Sequence, residues 1–142
     1  MPIKNYTTKV SADRSINEIQ SMLVNHGATG VLFEYEQGTG RIAALKFVLL
    51  LNGKKVGFSL PCEWRLFQEV LKQQDVKRWN EEDYCYRVAW RDLRDWVDAQ
   101  MALYETQMVQ IPQIFLPFAV TPNGKTMYEE VMHSGNLLGS GN

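Results

Sequence analysis

Glu34 and Glu36 lie two residues apart in the partly alternating stretch Val31–Glu36, so a strand there would present both carboxylates on one face. With Asp92, Asp95 or Asp98 from a neighbouring helix they could hold a divalent ion, as metal-dependent nucleases do. The plainer reading is a solvated face, with Val31, Phe33 and Tyr35 turned inward. The softer ligands, His26, His133, Cys62 and Cys85, form no C-x-x-C, H-E-x-x-H or other recognised zinc spacing. A Cys–His nucleophile would need Cys62 or Cys85 beside His26, and nothing in the spacing brings them together; no G-x-S-x-G elbow is present either. Gly38-Thr39-Gly40 falls between two expected strands, where a hairpin turn suits it better than a phosphate cradle. The sequence therefore offers no catalytic residues, no metal ligands and no cofactor motif, and a non-enzymatic role is expected.

Two groups of residues could bind instead. The first is basic and aromatic: Lys54 and Lys55 at the start of a strand, Lys77, Arg78 and Trp79 in a polar connector, and Arg87 and Arg91 at the start of a long helix. Cations on phosphates and an open aromatic face under a base are how single-stranded nucleic acid is held. The competing reading leaves the charges solvated and packs Trp79 against the long helix. The second group is apolar: Met108, Ile114, Phe115 and Phe118, with Met101, Ile111 and Leu116 nearby. It could form a homodimer face or a groove for a protein partner.

These groups must be carried by a chain of 142 residues, one domain's worth, which can bury roughly two-thirds of its unfolded surface. Hydrophobic residues make up 45% and charged residues 22%, which excludes wholesale disorder. The formal net charge of −1 gives no global pull toward nucleic acid or an anionic membrane, so any such binding has to be local. Cys62 and Cys85 do not make a disulfide framework and read as buried thiols in a reducing compartment. The opening MPIKNYTTKV has no apolar core of a signal peptide, and the apolar stretches near 42–51 and 114–120 are too short to span a bilayer. A soluble protein of the cytoplasm of a bacterial host is expected.

The element pattern is β-α-β-β-β-α followed by a long helix. Tyr6–Val10 reads as a first strand. Ser15-Ile16-Asn17-Glu18 has the form of a capping box, with Ile16, Ile19 and Leu23 on one face and Gly27 beyond the end, giving a helix over about 16–26. Val31–Glu36, Arg41–Leu51 and Lys54–Leu60 read as strands, the last two joined by Asn52-Gly53, a strong hairpin signal. Trp64–Gln73 has helical spacing, and Gln74–Asp83 is a polar connector. Tyr84–Gln110, without Gly or Pro, should form the longest helix, with Ala89, Leu93, Trp96, Val97, Met101, Tyr104 and Met108 along its apolar stripe. Arg91/Asp95 and Arg94/Asp98 are spaced to pair along the opposite face. Pro112 should end the helix. Ile114–Val120, broken by Pro117, reads as an edge strand or extended strip, and Thr126–Met132 as a strand or short helix. The expected fold is α+β: one domain over 1–133 with an antiparallel sheet of three to four strands, and a flexible tail over 134–142.

Three segments, NYTTKV, YRVAWRDLRDWVDAQMALYETQMV and FLPFAVTPNGKTMYEE, resemble a family of small uncharacterised phage and prophage proteins. The resemblance implies a gene carried on a mobile element; it brings no activity, cofactor or site residues. The helix–three strands–helix order is also that of double-stranded RNA-binding domains, without their basic helix motif. The function expected is that of an accessory protein acting by protein–protein interaction or homo-oligomerisation. Nucleic-acid binding through the basic-aromatic residues is the alternative, and a metal-dependent nuclease a more distant one.

Overall fold

A computed structural model describes residues 1–134 and shows an α+β fold. Helix α1 (Ala12–Asn25) is followed by strands β1 (Gly30–Tyr35), β2 (Ile42–Leu51) and β3 (Lys54–Pro61). Then come α2 (Trp64–Gln73), the long α3 (Glu82–Glu105), the short α4 (Ile111–Phe115), a 3-10 turn at Leu116–Phe118, and α5 (Met127–Ser134). The strands form one antiparallel sheet in the order β1-β2-β3. Leu45, Phe47 and Leu49 alternate into the core while Lys46 and Leu50 face out, as the two-residue period of a half-covered sheet requires. Asn52, with φ 52°, and Gly53, with φ 81°, make the β2–β3 turn, where both central residues need positive φ.

The sheet has three strands because Tyr6–Val10 does not join it. The segment turns at Asn5, whose φ is 65°, and then lies as an arm against α3. Its Tyr6 and Thr8 amides close local turns on the Ile3 and Asn5 carbonyls, and side chains of α3 take two of its carbonyls in place of a neighbouring strand. The Tyr84 hydroxyl donates to the Tyr6 carbonyl, and Arg87 Nε donates to the Thr8 carbonyl at 3.3 Å. Helix α1 begins a turn earlier than the capping-box pattern suggests. Ser11 is the cap, its Oγ accepting from the Arg14 amide at 3.1 Å, and Asp13 sits in the favourable first turn. Ser15 is thereby a buried position within the helix, and Glu18 is released to face α3.

The core is continuous from Ala12 to Ala119. Helix α3 buries Tyr84, Cys85, Val88, Ala89, Trp90, Val97 and Met101, and ends at Glu105, with Gln107 at φ 65° breaking the helix before Pro112. Trp90 is fully buried, with the Tyr86 ring edge-on to it at 6.4 Å. The strip at 114–120 is mostly helical. Gln110 and Gln113 cap α4 reciprocally, and Pro112 occupies the first turn, where its missing N–H costs nothing. Strand-like pairing is confined to Ala119 and Val120: Ala119 bridges to Phe58, and the Val120 amide donates to the Gly57 carbonyl at 2.8 Å. Phe115 plugs the C-terminal segment into the sheet, its ring edge-on to Phe47 (5.1 Å), Trp96 (6.0 Å) and Phe58 (6.4 Å). The expected tail lies, from residue 135 on, outside the described residues.

Candidate binding sites

The carboxylates considered for metal chemistry are dispersed. The register shift between Glu34 and Tyr35 re-aims the end of β1. Glu34 pairs with Lys46 at 2.9 Å. Glu36 instead accepts from Trp64 Nε1 (3.0 Å), Arg65 (2.7 Å) and the Thr39 hydroxyl (2.6 Å). The Arg65 guanidinium, then the hydroxyl, hold the Glu36 carboxyl at about 2, well below the ordinary value. The same shift leaves Tyr35 58% exposed rather than inward. Asp95 and Asp98 belong to an ion-pair network, and no group of three or more His, Cys, Asp or Glu suited to a metal ion occurs among the described residues. The Cys62 and Cys85 thiols are free and buried, and burial raises both above the ordinary thiol value.

The basic-aromatic residues separate into three places. Lys54 and Lys55 lie at the end of the hairpin that borders Tyr104, late in α3. The other end of the sheet borders Tyr86, whose hydroxyl accepts from the Ile42 amide. At 1.5 Å per residue, Tyr86 and Tyr104 are about 27 Å apart along the helix, so these lysines are remote from the other cations. Arg91 and Arg94 both donate to Glu18, at 3.0 and 2.8 Å, and Arg94 also reaches Asp95 and Asp98 at 3.2 Å. Burial alone would raise the Glu18 carboxyl, but hydrogen bonds from Arg14, Arg91 and Arg94 bring it below its ordinary value. Arg91 is thus neutralised in the α1–α3 seam. Trp79 packs against the core with Lys72 Nζ 5.1 Å above its ring; its carbonyl accepts from Gln68 and the Cys85 thiol.

Lys77, Arg78 and Arg87 do converge, around Tyr84. The Arg78 and Arg87 guanidinium carbons stand 5.2 and 5.5 Å from that ring. The arm forms the opposite wall of a cleft of about 440 Å³, lined by Tyr6, Thr7, Thr8, Lys9, Lys77 and Arg78 among others. Tyr6 and Lys9 were not singled out in the sequence, because reading the arm as a strand hid its position beside the α2–α3 connector. Asn5 fixes the arm: its amide donates to Asp92 (2.7 Å) and Asp95 (2.8 Å), while Lys4 lies 3.5 Å from Asp95. Burial lifts the Asp92 carboxyl to about 6, with the Asn5 hydrogen bond opposing and Asp95 adding to the rise.

The apolar residues also divide. Ile114 and Phe115 are core, 7% and 1% exposed, and closed to a partner. Met108 is 70% exposed, beyond the end of α3. Phe118 lines an apolar cleft of about 540 Å³ with Pro61, Pro117 and Tyr128. Beside it stands α5, which buries none of its residues. Its Tyr128, Val131 and Met132 are 60%, 37% and 52% exposed, and Leu116 is 50% exposed. The spacing 128, 131, 132 places the three on one helical face.

No protein-family model, curated protein or solved structure matches the chain.

Proposed function

We propose that this chain is a small non-enzymatic accessory protein, of the phage or mobile-element kind its segments resemble, and that it acts by binding a protein surface through α5 and the neighbouring 3-10 turn. The observation that carries this reading is the outward stripe on a helix that contributes no buried residue. Eight residues are too few to hold a helix in water unaided. Polar caps organise α5 instead. The Thr126 amide and hydroxyl donate to Glu129, the Glu129 amide donates to the Thr126 hydroxyl, and Glu130 accepts from Thr121 and Asn123. Met127 packs on the core, while the stripe at 128, 131 and 132 stays outward. Exposed Tyr, Met and Leu side chains beside an apolar cleft form the contiguous patch that a protein interface covers.

Self-association is the form that requires no further component. Light scattering across a concentration series is expected to show a dimer or larger assembly, and Tyr128→Asp with Met132→Asp is expected to return the monomer. A chain that stays monomeric at every concentration, and whose pull-downs recover no protein that the double variant loses, defeats the reading. The proposed setting is the bacterial cytoplasm. Two buried free thiols suit that reducing compartment, and no described helix is long and apolar enough to cross a membrane.

A further inference from the structure

From the cleft between the N-terminal arm and the α2–α3 connector, we infer a second site, which binds single-stranded nucleic acid: phosphates against Lys9, Lys77, Arg78 and Arg87, and a base against Tyr6. The inference stands apart from the α5 surface and does not depend on it.

The charge balance of the cleft is the first argument. The opposing carboxylates are Asp75 in the lining and Glu81, which holds Arg78 at 2.8 and 3.0 Å. Lys9, Lys77 and Arg87 have no ion pair among the described residues; Arg87 donates to the Thr8 carbonyl, stands over the Tyr84 ring and shares the field of Glu81 with Arg78. The whole chain is at −1, so this is a local excess of cations in an otherwise balanced molecule. Elsewhere along α3 each arginine is matched: Arg91 and Arg94 meet Glu18, Asp95 and Asp98. The excess begins where the arm crosses the helix.

The shape is the second argument. The arm is pinned along its length, by Ile3 to Gln74 (2.8 Å), Asn5 to Asp92 and Asp95, Tyr6 to Tyr84, and Thr8 to Arg87. The cleft is therefore built before a ligand arrives, and less ordering cost falls on binding. Its volume, about 440 Å³, is within the range of small-ligand sites and admits a nucleotide rather than a duplex. Tyr6 is 37% exposed and is held by its backbone carbonyl, which leaves its ring available to stack. Cations beside an accessible aromatic face are the recognition chemistry of an unpaired strand, which offers both phosphate and base. A duplex conceals its base faces, and the balanced α1–α3 surface gives it no broad basic footing.

The test is fluorescence anisotropy of the full chain with a labelled oligothymidylate of about 16 nucleotides. Binding is expected at low salt and should fall as salt rises. Lys9→Ala with Lys77→Ala is expected to weaken it and to reduce the log–log salt slope by about 1.4, the value for two phosphate contacts on a single strand. Tyr6→Ala keeps the carbonyl that Tyr84 holds, and is expected to cost at least about fivefold in affinity. Lys54→Ala with Lys55→Ala, at the far end of the sheet, should leave affinity and slope unchanged. Overturning results are no anisotropy change at low salt, equal loss in the distant lysine pair, or a duplex of the same length bound as tightly as the single strand. Unchanged circular dichroism of the variants separates loss of the site from loss of the fold.

Discussion

The two ends of the sequence are attached to the body by opposite means. The N-terminal arm is held almost wholly by polar contacts to α3, through Asn5, Tyr84 and Arg87. The C-terminal segment is held chiefly by apolar packing, with Phe115 seated among Phe47, Phe58 and Trp96 and with Ile114, Phe118 and Ala119 beside it; beyond them, of α5 only Met127 packs on the core. Polar fastening places side chains at fixed positions and leaves charges around a cleft. Apolar packing secures the start of a segment and leaves the outer face of the flanking helix free. The difference teaches that the arm is suited to shaping a site, and α5 to offering a surface.

Substitution should separate the two attachments. Phe115→Ala removes the plug and opens a cavity among three aromatic rings, at an expected cost of about 3–5 kcal/mol of unfolding free energy in chemical denaturation. Asn5→Gly keeps the positive φ and removes the amide that bridges Asp92 and Asp95. Its expected cost is smaller, about 1–3 kcal/mol. Hydrogen exchange should then quicken at Thr8, whose amide bonds to the Asn5 carbonyl, while the amides of β2 keep their relative order. If Asn5→Gly equals Phe115→Ala in cost, the contrast between the attachments fails.

Acid should separate them further. Asp92 carries a folded value near 6 against an ordinary 3.8, so its buried charge destabilises above pH 6 and the penalty disappears as pH falls toward 4. Glu36 has the opposite sign. Its folded value of about 2 lies below the ordinary 4.5, so its contribution is present above pH 4.5 and is lost as pH drops toward 2. Denaturation midpoints should therefore show a component that rises from pH 6 to 4, absent in Asp92→Asn, before the fall at lower pH that Glu36→Gln reduces. The smallest stability effect is expected from Tyr128→Ser, within about 0.5 kcal/mol for the monomer, because the side chain is 60% exposed and only borders the Phe118 cleft. A larger loss would show that α5 supports the fold rather than a partner.

Periodicity and turn chemistry read from the sequence located the body of the molecule well. The Asn52-Gly53 hairpin, the three strands around it, the span of α2 and the helical character of α3 all follow from local rules that the tertiary structure obeys. The Arg91/Asp95 and Arg94/Asp98 spacings also bring those partners together. The errors lie where one local signal competed with another. Ser11 and Ser15 both offer a cap, and burial of Ser15 against α3 decides for Ser11. Pro112 reads as a helix end and Pro117 as the mark of an edge strand, yet in the first turn of a helix a proline gives up nothing, and the aromatic pocket rewards a helix that delivers Phe115.

The candidate sites were less legible. Lys77, Arg78 and Arg87 stood out as basic residues, but Tyr6 and Lys9, which complete their cleft, are about seventy positions away in a segment whose β-forming composition suggests a strand. By itself the sequence determined the α+β class, the hairpin register and the identity of the long helix, because these depend on contacts between residues close along the chain. Only the tertiary structure decided that the N-terminal segment is an arm and not a fourth strand, that Arg91 is neutralised while Arg87 is not, and that α5 faces outward. Each of those depends on which distant side chain satisfies a backbone group, a charge or an apolar face, and that assignment is made when the elements pack.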